Sequence, residues 1–395
     1  MKKLILATVS AAALMTAGAA SAQSSYPYNY GVAAPTQSSA STAASVDQAG
    51  NNNTASTAQN NTATTDSAAQ NTSVIVQGFD GVNANYSTAT VSQTGSGQRA
   101  LTLQLNNNAA STIQSGANND AFTYQTGANN TANTTQSGLS APSHTGNIGG
   151  VNGVGSVSGG DALASSFAGQ SEAQIENTLL STGVNSPSAV ETETGSYIIQ
   201  ASNAQYNNAG VNQSGAGDRA AIVQINYEAN STANVVQSAY AEDSFIHQDG
   251  GAYNNASIAQ SGGYQTAGIY QSGSTGGIAS INQSNFGNIG LAVQSGNNNQ
   301  AYLTQTSSYS QSKSTQQGDN NLSSTSQSGY LGTGTISQTG TQNGSYLTQA
   351  GSSNAADVTQ NGSYNNSYIT QNLNNTWAHV GQTGSSNTSY VTQSH

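Results

Sequence analysis

From Gln283 to Gln305 the chain reads QSNFGNIGLAVQSGNNNQAYLTQ, with glutamine at positions 283, 294 and 305. The spacing of 11 residues then continues through Gln316, Gln327, Gln338, Gln349, Gln360, Gln371, Gln382 and Gln393 without a slip. A register held over so many intervals implies stacked copies of one small unit, because disorder has no need of a fixed spacing.

Working back to Gln200, the array contains eighteen such glutamines, and a small residue stands four places before every one of them. Two places before, fifteen of the eighteen are Val, Ile or Leu, as at Ile198, Val211, Ile222, Leu303, Val358 and Val391. Six places before, asparagine recurs at Asn299, Asn321, Asn343, Asn354, Asn365 and Asn387. Asn, small, aliphatic, Gln at steps of two is the period of a β-strand, so these four side chains share one face. An 11-residue repeat also suits a right-handed helical coiled coil. Glycine two places after most glutamines (Gly296, Gly318, Gly340, Gly351, Gly384) argues against it, since it would erode any helix. The β-branched aliphatics, with Thr and Tyr between them, favour strands followed by tight Gly/Asn turns.

From Gln200 the gaps run 13, 11, 13, 11, 12, 11, 12, 11, so every second connection tolerates insertion. Two inequivalent turns mean a coil of two strands and about 22 residues. Tyr302, Tyr346, Tyr368 and Tyr390, spaced by multiples of 22, would then stack on one outer sheet. The expected fold is all-β, a flattened two-sheet β-solenoid of strand-turn-strand coils. Stacking at the cross-β spacing of about 4.7–4.8 Å places like residues above one another. The expected interior is a set of amide ladders formed by the repeated glutamines and asparagines. With one large aliphatic per strand, these ladders and the backbone bonds must carry much of the stability, and the terminal coils stay open.

Composition bounds what such a chain can do. Charged residues are 5% of it, and it has no cysteine, so neither disulfides nor thiolate metal sites hold it together. Lys2 and Lys3, the apolar run Leu4 to Ala17 and Ala20-Ser21-Ala22 read as a signal peptide, residues 1–22. The run is short for a membrane anchor, and no other stretch approaches a membrane span. Losing Lys2 and Lys3 takes the formal charge from −11 to −13 and leaves Arg99, Arg219 and Lys313 as the cations. This charge offers no footprint for nucleic acid or an anionic membrane surface.

Five segments fit Q-x-G-x-x-N-x-A-x-x-x-Q: Gln48 to Gln59, Gln114 to Gln125, Gln125 to Gln136, Gln294 to Gln305 and Gln349 to Gln360. The pattern resembles the curlin repeat of curli amyloid subunits. That resemblance implies export through an outer-membrane secretion channel and polymerisation with other copies of itself into extracellular amyloid fibres for adhesion and biofilm matrix. It also implies a nucleator or co-subunit as partner. Residues 23–44, with Tyr26-Pro27-Tyr28-Asn29-Tyr30, are placed either to target secretion or to serve as plain leader. The chain is longer than the typical five-repeat subunit and its array is split, which leaves bulk subunit, nucleator and surface adhesin all open.

The first array spans 45–138 and the second 196–395, with a Gly/Ser-rich linker and acidic insert at 139–195. Within the insert Glu172 and Glu176, with Glu191 and Glu193, invite a cation site, but no aspartate-glycine calcium loop accompanies them. The first array is softer: Thr57, Ala68, Thr102, Thr112, Thr123 and Thr134 replace the aliphatic, and the spacing breaks around Gln77. The second array is therefore expected to be the stable core. His144, His247, His379 and His395 lack metal-ligand spacing. Asp218, Asp249, Asp319 and Asp357 occur singly and read as gatekeepers against premature stacking. No catalytic cluster, cofactor motif or metal site is expected. The competing reading is a monomeric secreted solenoid acting as an adhesin or ice-binding module, for which Thr304, Thr348, Thr359, Thr370 and Thr392 would form the outward column.

Overall fold

The computed structural model describes residues 42–61, 71–78, 84–138, 194–201 and 203–394. The signal peptide, most of the 23–44 leader, Ala68, His144, His395, and the insert with Glu172, Glu176, Glu191 and Glu193 lie outside the described residues.

Two parallel sheets of thirteen strands each face one another, and successive repeats alternate between them. The first sheet runs from Thr42–Gln48 through Asn71–Gln77, Arg99–Gln104, Asn119–Gln125, Thr194–Gln200, Arg219–Ile225 and onward to Ala355–Ser363 and Trp377–Ser385. The second runs from Thr54–Asn61 through Thr131–Gln136, Asn208–Gln213 and onward to Asn366–Gln371 and Thr388–Gln393. In every pairing within these sheets glutamine lies beside glutamine, for example Gln316 beside Gln338 and Gln349 beside Gln371. A slip of one residue would turn the aliphatic and the amide outward together, so the inward pattern fixes the register.

The register lost in sequence after Gly138 is regained in space. Gln125 pairs with Gln200 and Gln136 with Gln213, so the two arrays form one uninterrupted pair of sheets. The described part of the second array opens with Thr194–Gln200. The break around Gln77 is likewise local, since Gln77 sits in register between Gln48 and Gln104.

The two turns of each coil differ. In the later coils of the first sheet, strands run past the glutamine to a glycine of positive φ, as at Gly318 (φ 107) and Gly340 (φ 117). A Cβ on Gly318 would lie 2.1 Å from the Gly340 carbonyl oxygen of the next coil, so both the backbone angle and the stacking require glycine. Strands of the second sheet such as Gln300–Gln305 and Leu322–Gln327 end at the glutamine itself. Within the second array the longer gaps fall on the connections leading from the first sheet to the second, as between Gln200 and Gln213.

The inner faces pack the small and aliphatic residues together, with Ile198, Ile222, Ile246, Ile258, Ile269, Ile281 and Leu303 in one continuous cluster. A second apolar cluster corrects the expectation of one large aliphatic per strand. On the outward face of the first sheet Leu103, Phe122, Tyr197, Ile199, Val223, Phe245, Leu291 and Val293 are buried as well. Thr194–Gln200 is buried at every position, the two-sided burial usual for parallel sheets. The second sheet keeps a polar, exposed outer face, with Tyr346, Tyr368 and Tyr390 in a column.

Candidate assembly surface: the amide ladders and end coils

Each inward glutamine is held by its strand above a glutamine of the next coil, and its amide has two donors to place. In the first sheet Gln294 Nε2 donates to Gln316 Oε1 (2.9 Å), Gln316 to Gln338 (2.9 Å), Gln338 to Gln360 (2.8 Å) and Gln360 to Gln382 (2.7 Å). In the second, Gln283 donates to Gln305 (2.7 Å), Gln305 to Gln327 (2.9 Å), Gln327 to Gln349 (2.8 Å), Gln349 to Gln371 (2.8 Å) and Gln371 to Gln393 (2.9 Å). The ladders extend back in the same sense to Gln48 and Gln59, including across the insert from Gln125 to Gln200 (2.7 Å) and from Gln136 to Gln213 (2.9 Å).

The second amide hydrogen crosses to the facing sheet. Gln338 Nε2 donates to Leu322 O (2.9 Å), Gln349 Nε2 to Thr333 O (3.0 Å) and Gln360 Nε2 to Gly344 O (2.9 Å). The glutamines therefore both stack the coils and tie the sheets together, which spares a buried amide a penalty of about 1–3 kcal/mol.

Asparagine six places earlier does parallel work at the turn. Asn321 Nδ2 donates to Asn299 Oδ1 (3.1 Å), Asn343 to Asn321 (3.1 Å) and Asn387 to Asn365 (2.9 Å). The backbone N–H of Asn365 joins this column through Asn343 Oδ1 (3.1 Å). Asn354 belongs to the other sheet, where its coil neighbours are Gly332 and Thr376. Its Oδ1 accepts from Thr376 N (3.0 Å) and Oγ1 (2.8 Å). Mixed residue lengths in that column leave Gln98 Oε1, Asn119 Oδ1 and Gln265 Oε1 buried without a hydrogen bond, so the ladders do not satisfy every interior amide.

The same column holds acids. Asp218 and Glu242 stand six places before Gln224 and Gln248 on adjacent coils and are fully buried. Asp218 accepts from the backbone N–H of Gly215 (3.0 Å) and Glu242 (3.3 Å), while Glu242 accepts from Ser238 N (2.9 Å), Ala239 N (3.2 Å) and Gly262 N (2.8 Å). Burial, then the neighbouring Glu242 carboxylate, pushes Asp218 up to about 8. Asp218 is thus an interior turn residue replacing asparagine, and the gatekeeper reading does not hold for it. Asp319 caps Asn297 N (2.8 Å) on the surface, and half-exposed Asp357 accepts from His379 Nδ1 at 3.0 Å. Arg99 and Arg219 pair with Asp120 and Asp243 of the next coil. His247 lies on the buried outer face of the first sheet, and burial lowers it to about 4.

The outward threonines divide between the sheets. Thr304, Thr348, Thr370 and Thr392 lie in one column interrupted by Ser326, while Thr359 is on the other sheet.

At the ends of the stack, Trp377–Ser385 and Thr388–Gln393 each pair on one side only among the described residues, as do Thr42–Gln48 and Thr54–Asn61. Gln382 and Gln393 donate to Asn366 O (2.9 Å) and Trp377 O (3.0 Å) and have no further described rung to donate to.

No curated protein matches this chain. Residues 333–362 match the curlin associated repeat. The match covers Thr333–Thr341 and Gly344–Gln349, one whole coil, and most of Ala355–Ser363. The small-residue, aliphatic and glutamine positions of that coil recur in register through both sheets, so the stretch similar to the curlin associated repeat is one unit of a longer series.

Proposed function

We propose that the chain is a secreted structural subunit that assembles into extracellular curli-like amyloid fibres serving adhesion and biofilm matrix. The observation that carries this reading is the shared polarity of the two glutamine ladders, which end on strands that among the described residues pair on one side only. Every glutamine rung of these two ladders donates toward the C-terminal coil, so Gln382 offers a donor where Gln48 of a second copy offers an acceptor. Stacked that way, Val380 falls over Val46 and Ala378 over Ala44, and in the other sheet Gln393 falls over Gln59 and Asn387 over Asn53. Added coils would continue the ladders, the backbone bonds and the apolar column together, which is how an exposed sheet edge becomes a template. Export through an outer-membrane channel and a nucleating co-subunit fit this role.

The test is to dilute the chain lacking residues 1–22 from denaturant and follow thioflavin fluorescence and fibre diffraction. Lag-then-growth kinetics with reflections near about 4.7 and 10 Å are expected. A β-rich species that stays monomeric would overturn the proposal and favour a solenoid binding module.

A further inference from the structure

One narrow edge of the stack is formed by the turns that lead from the second sheet back to the first. Over five successive coils it carries one aromatic side chain per coil: Tyr240, Tyr264, Phe286, Tyr309 and Tyr330, alternately three and four places after the preceding glutamine. The rings touch in series, with centroids 5.5, 5.0, 5.8 and 5.8 Å apart, and three of the four contacts are edge to face. Glycine makes room for them. A Cβ on Gly263 would lie 2.9 Å from the Phe286 ring, and one on Gly287 would lie 2.8 Å from the Tyr309 ring. Phe286, Tyr309, Tyr330 and the adjoining Leu331 are nevertheless 40–48% exposed.

The strip is bounded and uncharged. The coils on either side have Ala216-Gly217 and Ser352-Ser353 at the same two places. None of residues 238–241, 261–264, 284–287, 306–309 and 328–331 is charged, and Glu242, next in the chain after the first of these turns, is buried. The opposite edge also carries exposed tyrosines, Tyr206, Tyr227 and Tyr253, but Asp249 and Asp319 interrupt it. Tyr264, Tyr309 and Leu331 are held at positive φ (54, 56 and 56), where other coils place Gly97, Asn118, Gly217 or Asn375. Bulky side chains in that conformation carry strain, and strained residues gather at binding and switch regions.

We infer that this strip docks a second copy of the chain side by side, so that stacks pair laterally through like edges, an inference that rests on the stacking proposed above. The formal charge of −11 sets copies against one another elsewhere, whereas two such strips meet with no like charge between them. A two-fold arrangement lays each strip on the other, and edge-to-face rings are self-complementary. With aromatic side chains of about 150–250 Å² each, the strip offers roughly 400 Å² per copy. Two copies would bury about 800 Å², below the roughly 1,200 Å² of a stable pair. In a stack the strip returns once per subunit, so paired stacks are joined by many such contacts at once.

Two experiments on the chain lacking only residues 1–22 test it. In the first, Tyr309 is replaced by p-benzoylphenylalanine in an equal mixture of isotope-labelled and unlabelled chains. The concentrated mixture is irradiated and cross-linked peptides are mapped by mass spectrometry. Mixed-isotope adducts to the turns at 238–241, 261–264, 284–287, 306–309 or 328–331 are expected. Adducts confined to the same chain, mixed adducts to the sheet faces or to the edge of Tyr206 and Tyr253, or none, would each overturn the inference. If no stacks form, the fibre reading falls, while mixed adducts between strips would still uphold the contact. In the second, Phe286→Ser, Tyr309→Ser and Tyr330→Ser are combined and the width of assembled stacks is measured by electron microscopy. The share of bundled stacks should fall about ten-fold or more, with growth along the axis retained. Tyr309→Phe with Tyr330→Phe, which keeps the rings, should bundle as before. Tyr330→Glu alone should reduce bundling while Tyr346→Glu, on the outer face of the second sheet, should not, which decides the case if the triple variant does not stack. Undiminished bundling in the serine and Tyr330→Glu variants, or an equal loss in Tyr346→Glu, would count against the strip as the contact.

Discussion

Replacing Gln338 by methionine keeps an unbranched side chain of similar length and removes only its hydrogen bonds. Gln338 donates to Gln360 Oε1 at 2.8 Å and Leu322 O at 2.9 Å, and accepts from Gln316 Nε2 at 2.9 Å. Loss of three bonds, with Gln316 Nε2 and Gln360 Oε1 left buried and short of a partner, costs about 3–6 kcal/mol. Better burial of the thioether returns about 1 kcal/mol, leaving a net loss of about 2–5 kcal/mol. Gln393→Met offers the internal comparison. Its rung receives one bond from Gln371 and makes one to Trp377 O, and it is part-exposed, so water replaces most of the loss and the cost stays under about 1 kcal/mol. Coils contact only their neighbours, so the effect should be read locally. Amide hydrogen exchange around Gln316 and Gln360 should accelerate at least about thirty-fold in Gln338→Met, and less than about ten-fold around Gln371 in Gln393→Met. Equal acceleration in the two variants, or none in Gln338→Met, would refute the view that the ladder amides hold the stack.

Asp218 has a folded pKa raised to about 8 from 3.8, so its contribution is whole below about 4 and is lost as pH rises through about 8. Asp218→Asn should therefore remove part of the loss of unfolding midpoint across that window, and an unchanged pH profile would show that the carboxyl is not buried as described. His247 has the opposite sign. Its pKa is lowered to about 4, so stability is whole above about 6.5 and falls with pH through about 4, and His247→Phe should flatten that acid limb. Asp319 and Asp357 retain the gatekeeper assignment as surface charges, and Asp319→Asn with Asp357→Asn should shorten the assembly lag, with an equal lag counting against it. Exchange protection should be stronger after Thr194 than before Gly138, because Thr102, Thr112, Thr123 and Thr134 stand in the inner column where Ile198, Val211 and Ile222 follow. The reverse order would show that ladder bonds alone set stability.

The legible part of the fold rests on period. Steps of two put asparagine, the small residue, the aliphatic and glutamine on one face, and alternating gap lengths distinguished two turns and hence a 22-residue coil. Both are local or nearest-neighbour properties, which a repeated sequence writes out many times. Three features were less accessible. Asn354 shares the spacing of Asn343 and Asn365 but stands on the other sheet, and only separation of the repeats into two alternating sets reveals it. Asp218 looks like an isolated surface charge until its position six places before Gln224 is given the burial of the asparagine column. The apolar outer face was also present in the sequence, as Tyr197 and Ile199, Ala221 and Val223, Leu291 and Val293, one and three places before every second glutamine. Attention to the inward positions alone hides it.

By itself the sequence determined the strand period, the two-strand coil, the inward amides and the resemblance to curlin repeats, because each depends on residues within one or two coils of each other. The tertiary structure alone decided that the arrays on either side of 139–193 are one stack, that the two glutamine ladders run with a single polarity, and that the two outer faces differ. Those facts depend on which distant strand lies beside which, and on which face of a sheet is withdrawn from water. A repeated local pattern is equally compatible with every such arrangement until the chain has closed in three dimensions.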